Sequence, residues 1–226
     1  MNTMMEICAK KEVSIPCAGA VLSGELSIPE EARGLVIFAH GSGSSRHSPR
    51  NRWVAGQMHE RQLATLLFDL LTPEEAAAEE RGGMQRFDIP FLTERLIAAT
   101  EWARQQPALK TLGIGYFGAS TGAAAALAAA SEISGIQAVV SRGGRTDLAG
   151  KAATEVRAPT LMIVGSLDYP VVEWNEETLE LLPCTKRLSL VEGASHLFPE
   201  EGALERVALL AADWFAMHLT HVPPES

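Results

Sequence analysis

The sequence predicts an α/β fold: a mostly parallel central sheet, opened by an antiparallel hairpin and covered by helices on both faces. Three observations carry that expectation. Continuous apolar runs such as residues 34–39 (GLVIFA) and 160–164 (TLMIV) lack the alternation of a half-exposed strand and suit strands buried on both sides. Segments with apolar residues at helical spacing alternate with them. Finally, the apolar run 112–116 leads directly into Gly118-Ala119-Ser120-Thr121-Gly122 and then into an alanine-rich stretch, a strand, a tight turn and a helix around one serine.

Taken in order, residues 13–15 and 20–28 read as two strands joined through a turn at 16–19, the opening hairpin. Residues 29–33 form a surface turn before the GLVIFA strand, and His40-Gly41-Ser42-Gly43-Ser44-Ser45 breaks the apolar pattern sharply. A basic stretch, 46–52, precedes a helix over 53–60 and a strand over 63–68 that ends at Asp69. Residues 72–83 (TPEEAAAEERGG) are acidic and helix-forming, with almost no apolar anchors. They read as an exposed excursion or a flap over a site, and the lack of anchors favours the solvated reading.

A helix is expected over 86–106, with Pro90 in its first turns, where proline is tolerated. After the alanine-rich helix come strands at 138–141, 160–164 and 187–191, a helix at 173–182 between the last two, and a closing amphipathic helix at 203–219. No internal repeat or linker interrupts this order, so residues 1–226 are expected to form one domain.

Composition narrows the function classes. With 46% hydrophobic and 21% charged residues the chain is ordinary for a globular protein. A formal charge of −9 argues against nucleic acid and anionic membranes as partners, since both select positive surface. No apolar span is long enough to cross a bilayer, and residues 1–11 lack the apolar core of a signal peptide. Cys8, Cys17 and Cys184 are scattered without metal-ligand spacing. They fit a reducing cytoplasm while leaving a disulfide open.

The serine turn is the chemical centre of the sequence. Glycines flank Ser120 where side chains would collide with neighbouring backbone, and the following helix aims unpaired N–H groups at developing negative charge. The alternative is an ordinary strand-to-helix turn capped by Ser120. A serine nucleophile needs a base, and the base needs an orienting carboxylate, in the chain order Ser, acid, His. Asp168 follows the 160–164 strand and His196 follows the 187–191 strand, so all three fall at strand exits on one sheet edge.

His40, His47 and His59 precede the serine, while His218 and His221 lie at or past the closing helix. Asp147 is the rival acid, and Asp69 reads as a loop brace. For the oxyanion, backbone N–H groups of Thr121 and of Ser42, in the glycine-rich loop, are the expected donors. His40 itself reads as structural.

From GLVIFAHGSG through GASTG and GSLD to GASH, the chain resembles the α/β-hydrolase superfamily over nearly its full length. Small size and the lack of a large cap domain resemble the dienelactone hydrolase-like branch. HGSGSSRHSPRN and SRGGRTDL are similar to hydrolases found beside or fused to phosphoribosyltransferase domains, although no such second domain is expected within these residues.

The resemblance implies Ser120 as nucleophile, Asp168 as acid and His196 as base. Dienelactone hydrolases proper carry a cysteine at the position of Ser120. The implied function is a serine carboxylesterase acting on small soluble esters without metal or organic cofactor. Acyl transfer or perhydrolysis by the same triad, and a non-catalytic ligand-binding relative, stay open. Arginines at 46, 50 and 52 and at 142 and 145 flank the expected cleft. Arg46, Arg142 and Arg145 are candidates for binding an anionic substrate group, against a reading as internal ion pairs, which an acidic protein favours.

Overall fold

The computed structural model describes residues 7–222. Residues 1–6, part of the stretch read as lacking a signal core, and the side chain of Cys8 lie outside what it describes. Cys17 and Cys184 are free thiols.

Strands β1 (Ile7–Cys17) and β2 (Ala20–Pro29) form the antiparallel hairpin, both longer than their apolar cores suggest. Its two-residue turn places Ala18 and Gly19 at φ of 25° and 82°, the positive values that match the twist of paired strands. Strand β3 (Gly34–Ala39) is wholly buried and leads through the glycine–serine loop to helix α1 (Pro49–His59). That helix begins four residues earlier than its apolar residues indicate. Ser48 caps it by accepting a bond from Asn51 N–H, and Pro49 opens it, so half of the basic stretch is helical.

Strand β4 (Leu63–Phe68) follows, then α2 (Pro73–Glu80), a 3-10 turn (Gln85–Phe87) and α3 (Ile89–Arg104). Strand β5 (Gly113–Ala119) enters the serine turn and α4 (Thr121–Glu132) leaves it. Strand β6 (Ile136–Arg142), a kinked 3-10 segment (Thr146–Glu155), β7 (Thr160–Gly165), α5 (Tyr169–Leu181), β8 (Lys186–Val191) and α6 (Ala203–His218) complete the chain.

The eight strands run in the order β1-β2-β4-β3-β5-β6-β7-β8, and from β4 to β8 neighbouring strands are parallel. Two apolar cores lie on opposite faces. One packs Leu92 and Leu96 of α3 and the alanines of α4 onto the sheet; the other packs Val54 and Met58 of α1 with Val207 and Phe215 of α6. Among the described residues no helix is long and apolar enough to cross a membrane.

Helix α2 corrects the expectation of a solvated excursion at 72–83. It is anchored by charge instead of by apolar side chains. Glu75 pairs with Arg95 of α3 at 2.8 Å, and the buried Glu79 accepts from Gln85 N–H and faces Arg86. Thr72 and Glu75 close a capping box at its start. Apolar periodicity does not register an element held this way.

Candidate active site

Ser120 occupies the turn between β5 and α4 at φ 51°, ψ −122°, a conformation that L-residues rarely adopt. Such backbone costs on the order of 1–3 kcal/mol and persists only where its surroundings enforce it. Two glycines permit the crowding: a Cβ on Gly118 would lie 2.5 Å from Ala123 Cα, and one on Gly122 would lie 2.2 Å from the Ala39 carbonyl oxygen.

The segment after β6 provides the enforcement. Ser120 N–H donates to the Arg142 carbonyl, while Arg145 and Ala123 N–H groups both donate to the Ser120 carbonyl. The bracing by SRGGR is absent from a reading of single motifs, because it joins backbone of two adjacent strand exits. Beneath the serine, Thr121 N–H has no hydrogen-bond partner among the described residues, as expected for the first residue of a helix.

His196 and Asp168 meet. Nδ1 of His196 lies 2.6 Å from Asp168 Oδ2, which orients the ring and leaves Nε2 as its free nitrogen. Asp147, the rival acid, is held in a two-point pair by Arg145 and makes no hydrogen bond to an imidazole among the described residues. The loop carrying His196 is fixed by Glu200, whose Oε1 accepts from Ser195 N–H at 3.1 Å and Ser195 Oγ at 2.6 Å. These bonds hold the Glu200 pKa below the ordinary carboxylate value. Glu200 was not singled out by its sequence position, since a glutamate before a helix carries no distinctive signal.

Ser120, Arg142 and His196 line one open cavity of about 650 Å³. Ser120 Oγ and His196 are not hydrogen-bonded to each other; in ligand-free sites such bonds are often long and tighten on binding.

On the other side of the glycine–serine loop lies a smaller cavity of about 200 Å³, walled by Leu70, Leu71, Leu92, Thr121 and the Ala76 face of α2. His40 braces the loop between them: Nδ1–H donates to the Gly41 carbonyl and Nε2 accepts from Leu70 N–H. Burial pushes its pKa down, consistent with a neutral structural ring.

The Ser42 N–H points towards Thr121 but is engaged, donating to Thr121 Oγ1 at 3.0 Å. The three candidate arginines part company. Arg46 pairs with Asp69 through its side chain and through its N–H, so Asp69 is the loop brace its position suggests. Arg145 pairs with Asp147 and stacks 4.3 Å over Trp174. Neither lines the Ser120 cavity; Arg142 does.

No protein-family model matches the chain. A solved structure described as dienelactone hydrolase from Anabaena variabilis is 53% identical, covers 93% of this chain and 98% of its own, and superposes with a TM-score of 0.92. The chain belongs to the dienelactone hydrolase family. Within the wider α/β-hydrolase fold, the Pyrococcus furiosus esterase Pf2001 shares 18% identity over 93% of this chain and 91% of its own, with a TM-score of 0.73, a likeness of fold alone.

Two Mycobacterium tuberculosis proteins named as phosphoribosyl transferases are 52% identical over 210 residues, 92% of this chain. The family member described here spans about half of their length, 46%.

Proposed function

We propose that this dienelactone hydrolase-family chain is a serine hydrolase of carboxylic esters. The observation that supports it most is the 2.6 Å Asp168–His196 bond at the rim of a cavity that Ser120 shares. Asp168 holds the proton on Nδ1, so Nε2 is free to take the Ser120 proton as Oγ attacks the ester carbonyl. The resulting oxyanion is stabilised by Thr121 N–H and the start of α4, and by Ser42 N–H once Thr121 Oγ1 yields its place. His196 then protonates the leaving alcohol and activates water against the acyl-enzyme. The half-length match gives no ground for carrying the transferase name of the mycobacterial relatives to this chain.

A fluorophosphonate probe tests this reading. It is expected to label the wild-type protein at Ser120 and not the Ser120→Ala variant, and that substitution lowers kcat on an ester by about 10⁶-fold. Labelling that persists in Ser120→Ala would rule out the assignment.

A further inference from the structure

The 650 Å³ cavity beside Ser120 carries an unbalanced charge. Arg142, at the end of β6, is only 7% exposed, yet its side chain makes no hydrogen bond or ion pair among the described residues. Nε and Nη1 are both buried and unsatisfied. A buried guanidinium without an anion is costly, and native proteins retain one where a ligand completes it. Burial, with Arg50 nearby as a second positive charge, pulls the Arg142 pKa down to about 10, so it remains charged at neutral pH.

Arg50 lies in the first turn of α1 and also lines the cavity, without a carboxylate partner among the described residues. The other basic side chains of that region are taken: Arg46 by Asp69 and Arg52 by Glu25. Among the described residues no aspartate or glutamate lines the cavity, although the whole chain carries a net charge of −9; Asp168, behind His196 at the rim, is engaged by Nδ1. Hydroxyls of Ser42, Ser44, Ser45 and Ser48 line the same cavity and add neutral donors beside the two guanidiniums. The start of α1 adds little, because Pro49 has no N–H and the Asn51 and Arg52 N–H groups both donate to Ser48. Two guanidiniums and donors on several sides match a dianionic tetrahedral group better than a planar monoanion.

The two cavities also divide the substrate. His196 must protonate the leaving oxygen, so the alcohol half belongs in the cavity that His196 lines. That leaves the smaller cavity beside Thr121, whose wall combines Leu70, Leu71 and Leu92 with the ion-paired Glu79 and Arg86, for a short acyl half.

Building on the serine-hydrolase reading, we propose that Arg142 and Arg50 bind a phosphate group on the alcohol half of the substrate, which is a short-chain acyl ester of a phosphorylated alcohol. Hydrolysis breaks the bond between acyl carbon and alcohol oxygen: water supplies hydroxide to the acyl group and a proton to the alcohol, and the phosphate is unchanged.

Two measurements test this separately from the nucleophile assignment. The first is calorimetric titration of inorganic phosphate into Ser120→Ala protein, which needs no turnover. Binding is expected, weakened about 30-fold or more by adding Arg142→Met and about fivefold by adding the exposed Arg50→Ala instead. The second compares kcat/KM for 2-(butyryloxy)ethyl phosphate, 3-(butyryloxy)propanoate and 2-methoxyethyl butyrate. The phosphate ester is expected to lead through a lower KM, and Arg142→Met and Arg50→Ala are each expected to shrink its advantage over the neutral ester.

Phosphate binding without ester turnover would uphold the anion site and fail the hydrolase reading. No phosphate binding, binding indifferent to both arginines, or a carboxylate ester preferred over the phosphate ester each overturns the proposal. Arg50→Ala, on the surface, keeps the test decisive if Arg142→Met does not fold.

Discussion

At the scale of single residues, the site depends on a few atoms held against their own preferences. Ser120 is kept at positive φ by hydrogen bonds on both sides of its peptide, and His196 is turned by one carboxylate. Replacing that carboxylate tests orientation without removing bulk. In Asp168→Asn the amide can favour the wrong tautomer, and kcat on any accepted ester is expected to fall by about 10⁴-fold with the fold unchanged by circular dichroism. A loss below tenfold would mean that Asp168 does not set the imidazole. The strand-exit positions of Ser120, Asp168 and His196 were legible because order and the ends of apolar runs are visible in a linear chain. Glu200 and the carbonyl of Arg142 were not, because their roles exist only through neighbours distant in sequence.

At the scale of elements, the serine turn is a packing problem between β3, β5 and α4. Ten consecutive residues of α4, Thr121 to Ala130, are buried, which small side chains allow because the helix is covered by sheet on one side and by α3 and the 3-10 segment on the other. Gly122 sits at the tightest approach. Gly122→Ala is expected to lower unfolding free energy by about 3 kcal/mol in denaturant titration, from overpacking against Ala39. Gly56→Ala is the control: it lies inside α1 with nothing within 4 Å of its Cβ, and is expected to raise stability by about 0.5–1 kcal/mol. Equal destabilisation by both would show that crowding at the turn is not the cause. Helix α2 is the element that composition misjudged, because its anchors are Glu75 and Glu79 and acidic residues ordinarily mark solvent.

At the scale of the whole molecule, three histidines link stability to pH. Burial lowers the pKa of His40, His59 and His218 below the ordinary value of about 6.5. The unfolded chain therefore binds more protons than the folded one as pH drops below about 6.5, and stability is lost in that direction. The thermal midpoint is expected to fall on acidification from pH 7.5 to 5.5, with a shallower fall in His59→Gln, which retains a side-chain partner for Thr65. A midpoint that rises over this interval would contradict the assignment of neutral rings, His40 buried and His59 and His218 partly so.

The sequence by itself determined the alternation of strands and helices, the crowded serine turn and the strand exits that carry Asp168 and His196, because each follows from local spacing and side-chain type. Only the tertiary structure decided which buried arginine stays without a counter-ion. Charge pairing depends on distances across the sheet: Asp69 and Asp147 claim Arg46 and Arg145, while Arg142 is buried at the cavity wall with no acidic side chain in reach.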